Sequence, residues 1–181
     1  MKTPACIFAW CLAAAVTAAE PATYVVDPAA STVSFTGHST FHDFTGTAQV
    51  KAGTVTIDGE HSQGAIEVDA ASMDTKREGR DKDMHKDMDS ATYPIIRYTL
   101  SSVTGSGEAM VAHGTWSMHG VDKLLDIPFK METAGKTTLS ASFPLNFNDF
   151  KVVVPRNFGM KVDPKVDVRV ELALTPSPAK P

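Results

Sequence analysis

The chain has 181 residues, 43% of them hydrophobic and 21% charged, with 17 Lys and Arg against 21 Asp and Glu. That apolar content excludes a disordered chain, and the lack of a second long apolar run excludes a polytopic membrane protein. The formal charge of −4 comes with no concentrated basic patch, which argues against a binder of nucleic-acid backbones.

Segment 1–19 reads as a secretory signal rather than part of a fold. Lys2 gives a positive start, an apolar run follows from Ala5 to Val16, and Thr17, Ala18 and Ala19 supply a small-residue cleavage site. The run is too short to span a bilayer comfortably, and cleavage is expected after Ala18 or Ala19. Cys6 and Cys11 both lie inside it, and Trp10 before Cys11 does not fit a lipidation signal. The mature chain therefore has no cysteine, and disulfides, thiolate catalysis and cysteine-ligated metals fall together. Losing Lys2 takes the net charge to −5. The remainder, read as one domain over 20–175, is long enough to bury a substantial core without staples.

Apolar residues then recur with period two, the mark of half-buried strands. Val33-Phe35, Val55-Ile57 and Ile66-Val68-Ala70 come first, and Ile96-Tyr98-Leu100 follows. Met110 to Met118, Leu125 to Met131, Leu139 to Leu145 and Val166 to Leu174 alternate over longer stretches. Turn chemistry falls between them at Asp58-Gly59, Gly105-Ser106-Gly107, Gly120 and Ala134-Gly135-Lys136. About eight strands with short connections predict an antiparallel sheet, closed into a barrel or folded into a sandwich.

Residues 76–91 break this pattern. They are densely charged, and Met84 and Met88, four apart, would turn inward together on a short helix. Tyr93-Pro94 ends it, because the residue before a proline is pushed to extended conformations. A long connection of this kind often forms a lid or rim on a barrel. The tail 176–181, with three prolines, reads as flexible. An eight-stranded barrel holds either packed side chains or one small apolar ligand, and the pattern leaves both open.

Other chemistries find less support. His38 and His42 beside Asp43, and His113 with His119, allow a histidine metal site, with solvated histidines as the plainer reading. Asp81 to Asp89 fails as a calcium loop, since Lys86 and Thr92 stand where Gly and Glu are needed. Gly37-His38-Ser39 lacks the second glycine of a nucleophile elbow. An interaction module that binds another exported protein through an edge strand or the charged segment is a further alternative.

Several segments together resemble the YceI-like family of exported barrel proteins. Tyr24-Val25-Val26-Asp27-Pro28-Ala29-Ala30-Ser31-Thr32-Val33-Ser34-Phe35 is similar to its first strand: Asp, then Ser, then Val-x-Phe. Ser39-Thr40-Phe41-His42-Asp43-Phe44-Thr45-Gly46 matches the form of one branch. Ile66 to Thr75, followed by Arg80-Asp81 and Met84, is the most specific block. Tyr93-Pro94-Ile95-Ile96, Met118-His119-Gly120-Val121 and Asp149-Phe150-Lys151-Val152 resemble later elements. The resemblance runs from Tyr24 to Leu174. Asp83-Met84 departs from the His-Leu of many relatives, and Tyr98 stands where Phe is common, adding a hydroxyl that needs a partner if buried.

The resemblance implies an all-β, eight-stranded antiparallel lipocalin-like barrel with a long hydrophobic cavity and the short helical insertion near 76–91. It implies a periplasmic protein, with secretion beyond the periplasm left open, that binds a polyisoprenoid, an isoprenoid quinone or a fatty amphiphile. Some members are linked to stress responses, and homodimers are known. No catalytic residue, cofactor or metal is implied. The candidate lining is the inward member of each strand: Phe35, Ile66, Val68, Ile96, Tyr98, Trp116, Ile127, Phe129, Phe143 and Val168. Phe41, Phe44, Met84 and Met88 are candidates for the mouth, where thioethers adapt to an irregular chain.

Overall fold

The computed structural model describes residues 21–107, 109–154, 156–157 and 160–177; the segment read as a signal lies outside them. Nine strands appear in chain order: β1 (Ala22–Ser39), β2 (Phe44–Ile57), β3 (Gln63–Asp74), β4 (Ile95–Ser106), β5 (Ala109–Met118), β6 (Val121–Glu132), β7 (Thr137–Asn146), β8 (Arg156–Asn157) and β9 (Met160–Ser177). One α-helix, α1 (Glu78–Asp87), follows β3. Each of β1 to β6 pairs antiparallel with the next, and β7 pairs with β9. Strand β9 then returns to β1, from Thr23↔Ser177 to Ser39↔Val162, closing an eight-stranded antiparallel barrel. The two-residue β8 folds back on the start of β9 outside that ring. The last strand thus runs through Ser177, two residues into the segment read as a flexible tail.

The strands are longer than the alternation in the sequence implies, because several of them bend where the alternation is lost. In β1 the register shifts between Asp27 and Thr32. There the Asp27 carboxylate accepts the Ala29 N–H (3.1 Å), and the Ser31 hydroxyl donates to Asp27 O (2.7 Å) while accepting the Ala173 N–H (3.0 Å). The same device recurs in β3. Asp69 accepts the Ala71 N–H (2.9 Å), and the Ser72 hydroxyl donates to Asp69 O (2.6 Å) and accepts the Gln49 N–H (2.7 Å). A shift in β4 between Leu100 and Ser102 is fixed by Ser101, whose hydroxyl donates to His113 O (2.8 Å). Bulges of this kind let a sheet curl tightly enough to close, and the side chains satisfy amides the ladder leaves unpaired.

Between β6 and β7 the ladder covers only Phe129–Glu132 against Thr138–Ala141. Pro128 and Pro144 lie just beyond it, and neither has an amide hydrogen to extend the pairing. This is the shortest seam of the barrel. Inside, the buried residues form one continuous cluster from Val26 to Leu174, including Trp116, Phe129 and Phe143.

Helix α1 is shorter than the 76–91 stretch read from composition. It ends at Asp87, and turns carry the chain to Pro94. Thr75, Arg80 and Asp81 lock its start. Asp81 accepts the Thr75 N–H (2.8 Å) and hydroxyl (2.5 Å), and Arg80 donates through Nε to Thr75 Oγ1 (2.7 Å) and through Nη2 to Thr75 O (3.1 Å). The His85 ring donates from Nε2 to Met73 O (2.8 Å), tying the helix to β3. Met88 is buried and Met84 packs on the core, both inward as their spacing predicts.

Candidate functional site

Three cavities succeed one another inside the barrel. The inner chamber, about 80 Å³, is walled by Ile66, Val68, Ile96, Tyr98, Trp116, Ile127, Phe129 and Phe143 of the predicted set. Val33, Leu100, Val103, Leu139 and Leu172 complete much of the rest. The middle chamber, about 50 Å³, adds Phe35, Met84, Met88 and Val168, together with Met73 and Met118. Val33, Val68, Ile96 and Trp116 face both of these spaces. The outer chamber, about 640 Å³, shares Phe35, Met84, Met88, Phe147 and Val166 with the middle one. It reaches exposed residues of α1 and forms the mouth.

Phe41 is the predicted residue that stands apart. It sits in the bend between β1 and β2, is 71% exposed, and lines none of the three chambers. Strand periodicity has no meaning in a bend, so alternation could not place it. Phe44, by contrast, lines the mouth. It and Phe35 belong to a reciprocal arrangement across the β1–β2 ladder. The Phe35 ring lies over Gly46, its register partner, and the Phe44 ring over Gly37, also its partner. A Cβ at Gly46 would fall 2.3 Å from Phe35, and one at Gly37 2.4 Å from Phe44, so both rings depend on glycine.

The inner chamber is apolar save for two groups. The Tyr98 hydroxyl lies 3.0 Å from both Ala112 O and Leu125 O and shares its proton between them. Burial, with a smaller contribution from the Asp126 charge, holds that phenol well above its ordinary range, so it stays protonated. Gly114 leaves room for the ring, since a Cβ there would sit 2.7 Å from Tyr98 Cζ. The second group is the Trp116 indole, whose Nε1 is buried without a hydrogen-bond partner. Its ring meets Phe143 edge-on at 5.6 Å and Tyr98 at 6.3 Å.

The mouth mixes charges. Arg77 and Arg80 line it together with Glu78, Asp83, Asp87 and Asp163, and His42 and Ser39 also take part. The Arg80 guanidinium lies 4.4 Å over the Phe44 ring. Burial, followed by the neighbouring Asp83 charge, raises the Asp87 carboxyl above the usual carboxylate range; Lys86 opposes this weakly.

The histidines are separated rather than gathered. His38 Nδ1 lies 3.0 Å from Asp43 and its Nε2 3.2 Å from Asp167, and these hydrogen bonds raise its pKa. His113 takes Asp126 at Nδ1 (2.8 Å) and Thr104 at Nε2 (2.8 Å) on the outer face. His119 lies beyond that strand, in the turn before β6, and donates from Nδ1 to Phe150 O (3.0 Å) under the Tyr93 ring. His113 and His119, paired above as one possible metal site, are therefore apart, because the strand ends at Met118. Among the described residues no three His, Cys, Asp or Glu side chains come together to hold a metal. Nor is any helix among them long and apolar enough to cross a membrane.

Solved structures share this architecture. BcnA of Burkholderia cenocepacia is 22% identical, with a TM-score of 0.70 over 83% of this chain and 99% of its own. A polyisoprenoid binding domain from Saccharophagus degradans, implicated in plant cell wall breakdown, is 18% identical, with a TM-score of 0.63 over 85% and 98%. The YceI protein of Campylobacter jejuni is 17% identical, with a TM-score of 0.50 over 77% and 84%. At these identities the likeness shows the fold alone. No similarity to a curated protein sequence is found. The sequence profile of the YceI-like domain matches residues 24–174, the same span over which the strands close and the chambers form. The chain belongs to the YceI-like family.

Proposed function

We propose that the protein sequesters or carries a long-chain isoprenoid, or a related amphiphilic lipid, in the periplasm, and binds it without chemistry. The observation that carries this reading is the run of apolar chambers along the barrel axis, ending at a charged mouth. Ordinary cores leave few voids larger than a water molecule. The Saccharophagus neighbour, described as polyisoprenoid binding, supports an isoprenoid tail. Segment 1–19, read as a signal, supports the location. The family's stress association supports a role under stress.

Magnitudes agree with such a ligand. Moving an isoprenoid tail into the tunnel gains ~0.8 kcal/mol per CH₂-sized group, against an association cost of about 4–15 kcal/mol. About ten to twenty buried carbons therefore suffice. The inner and middle chambers are narrow, so a tail threads them only as Met73, Met84, Met88 and Met118 adjust; unbranched thioethers do this at low cost. Walls of methyls and rings count tail length poorly, so loose length specificity is expected.

The test is native mass spectrometry of protein purified without detergent, followed by organic extraction and lipid analysis. A stoichiometric adduct releasing an isoprenoid or fatty species is expected. A clean mass that stays clean after incubation with polyprenols and quinones would sink the reading. Trp116→Glu, which places a carboxylate between the inner and middle chambers, should abolish retention in the folded variant; undiminished retention would remove Trp116 from the lining.

A further inference from the structure

The tunnel holds one unmet demand. Trp116 points inward from β5 at the junction of the inner and middle chambers and is only 8% exposed. Its Nε1 is the one buried side-chain polar atom among the described residues that lacks a partner. Such orphans are rare and costly, because the N–H has given up water for nothing. Nothing nearby relieves it. Val33, Val68 and Ile96 share its two chambers and carry no acceptor, and the Phe143 ring meets the indole T-shaped at 5.6 Å between centroids. Tyr98 is close, yet its hydroxyl is committed to two backbone carbonyls.

We propose that the ligand supplies the missing acceptor: an uncharged oxygen, carbonyl in class, carried at mid-tunnel depth and hydrogen-bonded by Trp116 Nε1. This rests on the tunnel being the ligand site. A packing role alone would be met by phenylalanine, which fills the same wall without a donor to satisfy. The acceptor is uncharged because an anion would shed its hydration in a wall of methyls and rings. An anion would also pass Glu78, Asp83, Asp87 and Asp163, where Arg80 already serves Thr75 and Phe44. Trp116 is then a specificity residue: chains bearing a buried oxygen are retained over plain hydrocarbons. A site built to hydrogen-bond rejects the analogue that lacks the group far more strongly than a site that only packs.

The probes are a long-chain ketone, dodecan-2-one, and dodecane, offered to the purified protein at matched activity, with occupancy read by extraction and gas chromatography. Wild type should prefer the ketone by about tenfold, and Trp116→Phe should erase the preference while keeping dodecane uptake. In wild type, the indole Nε1–H resonance should move downfield with the ketone and not with dodecane, a readout independent of how the variant folds. A preference that survives in Trp116→Phe, or an indole signal that ignores the ketone, overturns the acceptor and leaves the carrier reading standing. Uptake of neither probe overturns both.

Discussion

At the scale of single residues, the mouth carries the clearest electrostatic tension. Asp83 and Asp87 stand one helical turn apart on α1, both facing the outer chamber, and burial together with Asp83 raises the Asp87 pKa. A carboxyl whose folded pKa exceeds its unfolded value binds its proton more tightly when folded. Its favourable contribution is complete below the unfolded value of 3.8 and is lost as pH rises through the raised folded pKa. Above that, the ionised group strains the mouth. Asp87→Asn should therefore raise the thermal midpoint at pH 7 and make no difference near pH 3. Equal gains at both pH values would show that packing, not charge, explains the variant. His38 has the same sign from the opposite cause, because its partners favour the charged form. Its pKa is raised by Asp43 and Asp167, so the pair of contacts weakens as pH climbs past that value, at an exposed site where salt screens it.

Elements are shaped by short polar devices that look unremarkable in the sequence. In β3, Ser72 gives its proton to Asp69 O and takes the Gln49 N–H across the bend. Ser72→Ala removes a part-buried bond to Asp69 O and an exposed one from the Gln49 N–H, together costing about 1–3 kcal/mol. That is roughly 2–12 °C of thermal midpoint for a domain of this size, read by calorimetry. Ser142→Ala on the exposed side of β7 should change almost nothing. Similar losses in both variants would mean the bulge is held by its backbone alone. These devices also explain what the sequence hides. Val166 to Leu174 and Met110 to Met118 are legible as strands because their alternation is unbroken. Val33-Phe35 marks only the middle of an 18-residue strand, since Asp27 to Ser31 carries no alternation and is a bend within the strand. The site shows the same division. Inward positions on regular strands, Ile66 through Phe143, all reach the chambers, while Phe41 in a bend does not. Leu100 and Leu172 are visible in the pattern, yet nothing local tells lining residues from filling ones, and Val103 falls out of period past the bulge after Leu100. That distinction belongs to the closed barrel, because it depends on which side chains arrive opposite one another.

For the whole molecule, closure and cavity pull in opposite directions. The β1–β9 ladder removes sheet edges and makes a rigid ring, but it encloses chambers whose walls lack contact partners. An unfilled tunnel forfeits dispersion contacts along its length, and a tail that fills it restores them. Binding only to the folded state then stabilises by mass action, by about 2.7 kcal/mol at a hundredfold excess over Kd. For a chain of this length that is roughly 5–11 °C in the thermal midpoint. Protein stripped of lipid by organic extraction and refolding should melt lower than protein purified with its adduct, by about that amount. Returning a polyprenol should restore the midpoint. The gain should be smaller in Trp116→Glu, whose carboxylate interrupts the same space. Identical midpoints for stripped and loaded protein would mean that the tunnel closes on itself when empty. The barrel would then hold its shape by packing alone, with no stability gained from a guest.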